Sequence, residues 1–189
     1  MNIAIVGATG NVGRKLIEVL EKKKFPISEL FLVASSKSEG KKISYSGKEY
    51  TVIDLEKFDF SNVKIAFFAA GSGIAEKWAH IAAEKTIVID NSKFFRKDPE
   101  IPLVVPEVNS KELAQVKNKN IIANANCSVI PLVVALKPLH DLYNVKRIVV
   151  STYQSVSGAG KDAMDELASQ TQEFFQNKKL ESKYFTKQI

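Results

Sequence analysis

The sequence predicts an α/β fold in which helices cover both faces of a parallel sheet. Short apolar runs alternate with amphipathic stretches over the first 126 residues, which is typical of successive βαβ units. A glycine-rich turn, GATGNVG (residues 7–13), joins the first apolar run to the first amphipathic stretch. After Asn126 this alternation gives way to a different rhythm, so we expect one domain over residues 1–126 and a second over 127–189.

The individual elements follow from hydrophobic periodicity. Residues 2–6 (NIAIV) are predicted to form a buried strand, and residues 11–23 a helix whose apolar face carries Val12, Leu16, Val19 and Leu20. Further strands are predicted at 30–34, 64–68, 86–90, 120–124 and 146–154, with a hairpin over 43–53 that turns at Ser46-Gly47. Further helices are predicted at 73–84, 110–117, 128–142 and 161–175.

Composition and charge exclude several classes of protein. The net charge is +6, but the lysines are scattered among acidic residues, which favours a solvated surface over a nucleic-acid interface. The longest apolar run, residues 129–136, contains Pro131 and is far shorter than the roughly 20 residues that span a bilayer. The N-terminus lacks the pattern of a signal peptide. We therefore expect a cytoplasmic protein with no nucleic-acid or membrane partner.

Cysteine and histidine are scarce in this chain. One cysteine, Cys127, and two histidines are present, so the chain can form no internal disulfide and no cysteine-rich metal site. No metal is predicted. The thiol is then either a buried apolar group or a reactive one.

The glycine turn predicts a dinucleotide site. Gly7, Gly10 and Gly13 follow a predicted strand and open a predicted helix, as in the Rossmann-type fold, where the helix N-terminus attracts a pyrophosphate. The alternative is a turn that serves packing alone. The predicted cofactor-binding residues of the turn are these glycines with Thr9, Asn11 and Val12.

The end of the second predicted strand indicates which nucleotide binds. An NAD site usually carries an acid there, whereas this strand continues VASSKS (residues 33–38). Lys37 and hydroxyls such as that of Ser38 could bind a 2′-phosphate, so NADP is predicted. Short-chain oxidoreductases need a Tyr-x-x-x-Lys pair, and no tyrosine of this chain has a lysine four residues later.

Cys127 lies where a predicted strand, IIAN, is followed by a predicted helix. Amide groups and the macrodipole of a first helical turn favour a thiolate and can stabilise an oxyanion, and Asn126 and Ser128 could add contacts. These features predict a catalytic nucleophile. His140 lies 13 residues further on, about 20 Å along the same helix, and His80 is predicted to be a surface residue. The histidine partner of a cysteine nucleophile is therefore missing.

These motifs together resemble the aspartate-β-semialdehyde dehydrogenase family. The stretches that carry the resemblance are GATGNVG, ASSKSEG (34–40), VIDNSKFFRKDPEIPLVVPEVN (88–109), IIANANCS (121–128) and STYQSVSGAG (151–160). Lys37 stands where the family usually has arginine. The resemblance implies that Cys127 is the nucleophile, that Arg96 and Asn126 contact phosphate or substrate, and that Gln154 helps to place the substrate. Ser157 and Gly158 would line the nicotinamide.

The resemblance also implies a reaction. The thiolate attacks the acyl carbon of aspartyl phosphate, phosphate leaves, and NADPH reduces the thioester to aspartate semialdehyde, a step in lysine, threonine and methionine biosynthesis. The second domain would be an incomplete α+β catalytic and dimerisation domain, because the family's histidine and substrate arginine lie beyond residue 189. We therefore expect little activity from the isolated chain, and a homodimer, since the strand predicted at 146–154 would leave an exposed edge.

Three departures from the family pattern and two alternative functions remain. The family usually reads NPNCST followed by Gln, whereas this chain has Ala125, Val129 and Pro131, changes that flank the thiol without replacing it. The alternatives are a truncated, non-catalytic chain that keeps part of a nucleotide site, and a related reductase of N-acyl-glutamyl phosphate. The aspartate family is favoured over that reductase by VIDNSKFFR and STYQSVSGAG.

Overall fold

The computed structural model describes residues 1–185, with the side chain of Asn118 left aside. The chain divides into two compact units, an N-terminal unit of residues Met1–Ile148 and a C-terminal unit of Val149–Ile189. The N-terminal unit holds the sheets. Its strands are β1 (Asn2–Val6), β2 (Glu29–Ala34), β3 (Lys42–Tyr45), β4 (Lys48–Thr51), β5 (Ile53–Asp54), β6 (Ile65–Phe68), β7 (Ile87–Asp90), β8 (Leu103–Val104) and β9 (Ile121–Asn124).

The helices alternate with these strands as predicted. They are α1 (Asn11–Lys22), α2 (Ser72–Ala83), α3 (Pro106–Asn109) and α4 (Val129–Tyr143) in the N-terminal unit, and α5 (Lys161–Phe175) in the C-terminal unit. A helix was predicted over residues 110–117, and residues Ser110–Asn118 form a 3₁₀ helix.

Seven strands form one sheet in the order β5-β2-β1-β6-β7-β9-β8, and each neighbouring pair is parallel. The predicted parallel α/β architecture is therefore confirmed. β3 and β4 form the predicted hairpin. Its turn residues Ser46 and Gly47 both have positive φ, at 49° and 76°, which matches the twist of a two-residue hairpin turn.

Alternation along β1 distributes its side chains to both faces of the sheet. Ile3 and Ile5 pack in one core cluster with Ile17 and Leu20 of α1. Ala4 and Val6 belong to a second cluster that contains the alanines of α2, together with Phe68 and Phe95. Because successive strand residues point to opposite faces, a helix lies on each side of the sheet, as the fold class predicted.

The predicted strand at 146–154 does not form. Residues 144–155 have no regular secondary structure, and their side chains are largely exposed, with Tyr153 fully so. A strand needs a neighbour to accept and donate its backbone hydrogen bonds, and no strand within residues 1–185 pairs with this segment. The β-branched residues of this segment favour a strand, but they do not form one without a neighbouring strand to pair with. No helix among the described residues is both long and apolar enough to cross a membrane.

Candidate active site

The glycine turn lies at the carboxyl end of β1. Gly7 has φ +87°, and a Cβ atom there would lie 2.7 Å from the carbonyl carbon of Ala69. A Cβ atom on Gly13 would overlap the carbonyl oxygen of Gly7. Gly7 and Gly13 are thus required by the packing of the chain itself. Gly10 is exposed and precedes α1 without a side-chain cap, and the first turn of α1 has no acid, so this helix end suits an anion.

A second turn meets the glycine turn at the point where the strand order reverses. β1 lies between β2 and β6, and the Ala69 N–H that follows β6 donates to the Val6 carbonyl at 2.8 Å. Gly71 (φ +84°) then precedes α2, which also has neither a side-chain cap nor an acid in its first turn. Ligands of doubly wound folds bind in such a crevice. We did not select this turn from the sequence, although small residues directly after a strand (AAGSG) could have revealed it.

The segment predicted to recognise the 2′-phosphate follows β2. Ser38 is buried in the short 3₁₀ helix Ser36–Ser38, and its Oγ lies 3.5 Å from Oγ1 of Thr9 on the glycine turn. Two predicted cofactor residues therefore come together. Lys37 is exposed on the same 3₁₀ helix. The sequence did not single out Lys41, whose Nζ lies 3.3 Å from the Ser38 hydroxyl.

Cys127 is exposed in the turn between β9 and α4. Asn126 shapes this turn because its Oδ1 accepts from the Ser128 N–H at 2.9 Å, and its carbonyl accepts from the N–H groups of Val129 and Ile130. These three amide groups were candidates for an oxyanion site, and here they are engaged with Asn126. Pro131 lies in the first turn of α4, where a missing N–H removes no intrahelical bond, so this departure from the family pattern is compatible with the helix.

Arg96 lies in the 3₁₀ helix Phe94–Lys97 that follows β7. Its Nε donates to the Asn124 carbonyl at 2.9 Å, and its Nη2 donates to the Asn91 carbonyl at 3.0 Å. Asn124 is the last residue of β9, three positions before Cys127, and its Nδ2 donates to Oδ1 of Asn91 at 2.6 Å. Two of the five guanidinium N–H groups thus hold its plane, and the arginine is fastened to the strand that leads to the thiol.

Asn91 and Asn124 were not selected from the sequence. Each directly follows or ends a strand, and carboxyl ends of parallel strands share one edge of a sheet, so their positions after IVID and within IIAN could have identified them. Asn91 is also fixed by β6, because its backbone N–H and its Nδ2 both donate to the Phe68 carbonyl, at 2.9 and 3.3 Å.

Asp90, the last residue of β7, stabilises the turn that precedes Arg96. It is buried, and it accepts from the Ser92 N–H at 3.1 Å and from the Ser92 hydroxyl at 2.6 Å. Burial raises the pKa of the Asp90 carboxyl, an effect opposed by the two Ser92 hydrogen bonds and by the charge of Arg96. The turn that carries Arg96 therefore starts from a desolvated carboxyl group.

The remaining predicted residues lie in the C-terminal unit. Ser155 begins the 3₁₀ helix Val156–Ala159, and its hydroxyl accepts from the Ser157 N–H at 3.3 Å. Gln154 precedes this turn, and its Oε1 accepts from Thr152 Oγ1 at 3.3 Å. A Cβ atom on Gly158 would meet nothing within 4 Å, so the loop itself does not demand a glycine there.

The two histidines of the chain lie on different helices. His140 is exposed in the last turn of α4, at the end opposite Cys127. His80 is exposed on α2, with its ring edge-on to Phe95 at 5.2 Å between centroids. Within residues 1–185, no group of three or more His, Cys, Asp or Glu side chains could hold a metal ion.

Two family models match the chain. Residues 2–116 match the semialdehyde dehydrogenase NAD-binding domain, and residues 136–189 match the semialdehyde dehydrogenase dimerisation domain. The first match covers the glycine turn, the Lys37 segment and Arg96.

Curated relatives align with the whole chain. Aspartate-semialdehyde dehydrogenase of Shewanella violacea is 50% identical over 189 residues, and aspartate-semialdehyde dehydrogenase 2 of Vibrio cholerae is 53% identical over 189 residues. In both cases the alignment covers 100% of this chain and 56% of the relative. The chain thus spans about half the length of the curated relatives it matches.

Solved structures agree in fold as well as in sequence. The crystal structure of aspartate semialdehyde dehydrogenase II of Vibrio cholerae complexed with ASA superposes with a TM-score of 0.94 at 52% identity, covering 100% of this chain and 56% of that one. The enzyme of Candida albicans with NADP gives a TM-score of 0.62 at 28% identity, covering 76% of this chain and 48% of that one. The chain therefore belongs to the semialdehyde dehydrogenase family of oxidoreductases, with aspartate-semialdehyde dehydrogenases among its relatives.

Proposed function

We propose that this chain supplies the nucleotide site and the nucleophile of an NADP-dependent, phosphorylating aspartate-semialdehyde dehydrogenase. One relationship carries the proposal: Arg96 donates to the carbonyl of Asn124, three residues before the exposed thiol of Cys127. A phosphate-binding cation and a nucleophile on adjacent strand ends are the two groups that an acyl phosphate requires.

In the proposed first step, the Cys127 thiolate attacks the acyl carbon of aspartyl phosphate. A carbon–sulfur bond forms, the bond from carbon to the phosphate oxygen breaks, and inorganic phosphate leaves with the electron pair. The guanidinium donors of Arg96 that are not directed at Asn124 and Asn91 balance the charge of the departing phosphate. The product is a thioester on Cys127.

When bound, NADPH supplies the hydride that reduces this thioester. The carbon–sulfur bond then breaks, which releases aspartate semialdehyde and regenerates the Cys127 thiolate. Gln154 and Asn126 are proposed to orient the substrate, and Ser157 and Gly158 to line the nicotinamide. In the reverse direction phosphate, NADP and the aldehyde re-form the acyl phosphate.

The sheet gives the cofactor a suitable edge. α1 begins beside Gly10 with no acid in its first turn, which fits a pyrophosphate. β1 and β9 are separated by β6 and β7, so three strand spacings, about 14 Å, lie between the glycine turn and the strand that leads to Cys127. A dinucleotide extended along this edge could place its phosphates on α1 and its nicotinamide toward the thiol. The NADP complex of the Candida albicans relative supports this choice of cofactor.

The relatives support the remaining parts of the proposal. The Vibrio cholerae structure holds ASA, and relatives named for the aspartate reaction favour it over the N-acyl-glutamyl-phosphate reductase. The match to a dimerisation domain supports a homodimer. The proposed setting is cytoplasmic biosynthesis of lysine, threonine and methionine, and the proposed domain boundary stays at residue 126. A non-catalytic chain is the competing proposal.

The acylation step can be tested separately from hydride transfer. The 189-residue chain is mixed with acetyl phosphate, a simple acyl phosphate, and the intact mass of the protein is measured over time. We expect one acyl group per chain, released by hydroxylamine and absent from Cys127→Ala. As a control, the folded and the unfolded wild-type chain are each treated with iodoacetamide. Alkylation of Cys127 in both shows that the thiol is accessible.

Absence of an adduct on a chain whose thiol is accessible would refute the nucleophile. An adduct of the same yield on Cys127→Ala would assign acylation to another group and would equally contradict the proposal.

A further inference from the structure

Lys41 is held in place from both sides of its backbone. Its N–H donates to the Ser38 carbonyl at 3.2 Å, and its carbonyl accepts from the N–H of the buried Val52 at 2.8 Å. The preceding Gly40, with φ +79°, donates to the Val52 carbonyl at 2.9 Å. The two bonds with Val52 tie the loop after β2 to the chain that leads into β5, and the bond to Ser38 closes a turn within the loop, so the base of the Lys41 side chain has a defined position.

The ammonium group of Lys41 completes a cluster of polar groups with the glycine turn. Its Nζ is 3.3 Å from Oγ of Ser38, and that oxygen is 3.5 Å from Oγ1 of Thr9. Ser38 is buried, so its hydroxyl is held while the ammonium remains exposed. One cation and two hydroxyls therefore converge between the end of β2 and the turn after β1, the region where a dinucleotide fold places its adenosine ribose.

The acid of this loop is neutralised by a cation from elsewhere in the chain. Glu39 is the one acidic residue within residues 35–41, and both of its carboxylate oxygens lie 2.8 Å from Nζ of Lys57. Lys41 makes its hydrogen bond to an uncharged hydroxyl instead. Its full positive charge thus remains available for an anion.

We propose that Lys41, with the hydroxyls of Ser38 and Thr9, binds the 2′-phosphate of the cofactor and determines the preference for NADP over NAD. The proposal rests on the nucleotide site proposed above and adds a residue to it. Lys37, which the sequence suggested for this role, lies on the exposed side of the 3₁₀ helix, whereas Lys41 is the lysine bonded to the serine that contacts the glycine turn.

Two mononucleotides isolate the phosphate in question. Adenosine 2′,5′-bisphosphate and 5′-AMP are each titrated into the 189-residue chain and into Lys41→Gln, Lys37→Gln and Lys42→Gln, with binding measured by calorimetry. We expect Lys41→Gln to weaken the bisphosphate about tenfold, the equivalent of one charge-assisted hydrogen bond, and to leave 5′-AMP unchanged. Lys42 is the matched control, because its Nζ pairs with Glu49 on the hairpin at 2.9 Å.

The outcomes separate the two proposals. Unchanged bisphosphate binding by Lys41→Gln, or an equal loss of both nucleotides, would overturn the role of Lys41 alone. A greater loss in Lys37→Gln than in Lys41→Gln would return the role to Lys37. A wild-type chain that binds neither nucleotide would overturn the nucleotide site and, with it, this assignment. A far-ultraviolet circular dichroism spectrum and a thermal midpoint equal to those of the wild type show, independently of nucleotide binding, that each variant is folded.

Discussion

Arg96 is hydrogen-bonded to the backbone of the strand that leads to Cys127: its Nε lies 2.9 Å from the carbonyl oxygen of Asn124. The bond joins the 3₁₀ helix that follows β7 to the last residue of β9, and these two strands are neighbours in the sheet. The planar guanidinium group can make this bond with Nε while its remaining N–H donors point in other directions. An ammonium group does not reproduce this geometry.

Replacing Arg96 with lysine should therefore slow acylation of Cys127 by acetyl phosphate although the charge is kept. We expect about a tenfold lower rate, the equivalent of one lost charge-assisted hydrogen bond in the transition state. The rate is followed by intact mass. Lys97→Gln, which removes an exposed charge from the same turn, should acylate at the wild-type rate. Equal rates in Arg96→Lys and wild type would exclude a role for the guanidinium shape.

The bond between Asn124 and Asn91 should contribute to stability. Asn124→Ala leaves Oδ1 of the half-buried Asn91 without its 2.6 Å donor, and losing one partner of such a bond costs about 1–3 kcal/mol. Urea unfolding measures this loss as a lower midpoint. Gln115→Ala, which removes an amide from an exposed side-chain pair, should change the free energy of unfolding by less than about 0.5 kcal/mol. Comparable losses in the two variants would contradict the prediction.

Asp90 should make the stability depend on pH. Burial raises its folded pKa above the ordinary value of 3.8, so the folded chain binds this proton more tightly than the unfolded chain. The stabilisation is fully present below pH 3.8 and is lost as the pH rises through the raised value. Relative to Asp90→Asn, the wild type should lose free energy of unfolding across that window in urea titrations at successive pH values. A difference that stays constant with pH would show that the carboxyl is not desolvated.

Two glycine substitutions should behave differently. Gly7→Ala combines a positive φ with a Cβ atom 2.7 Å from the backbone of Ala69, so we expect a loss of about 2–4 kcal/mol or a failure to fold. Gly158→Ala meets open space at an ordinary φ and should leave the thermal midpoint almost unchanged. If Gly7→Ala were as stable as wild type, the backbone of Ala69 would not lie as close to Gly7 as the structure shows.

The 189-residue chain should turn over slowly at best. The proposed reaction needs a group for proton transfer, and the family resemblance implies a histidine for it. His140, at the end of α4 opposite Cys127, does not supply that group. With aspartate semialdehyde, NADP and phosphate, NADPH absorbance should barely rise, while Cys127 still reacts with iodoacetamide. Robust turnover that disappears in Cys127→Ala would show that another group supplies the proton transfer.

Local patterns were enough to predict much of this protein. Periodicity and turn residues predicted the strand at 2–6, the hairpin turn at Ser46-Gly47 and the parallel α/β architecture. They also predicted a strand at 120–124, which the structure has at Ile121–Asn124. Each of these features depends on contacts close in sequence or on a repeating βα unit. The same patterns placed Cys127 between a strand and a helix. Its role as nucleophile stays a prediction.

The segment 146–154 shows where local patterns stop. Its β-branched residues favour a strand, but a strand exists only where a neighbour pairs with its backbone, and residues 1–185 offer none. Tertiary structure alone likewise brought Asn124 to Arg96 and to Asn91, and Ser38 to Thr9. Residues 28 to 33 positions apart meet only after the parallel strands align their carboxyl ends, a constraint that one stretch of sequence does not encode.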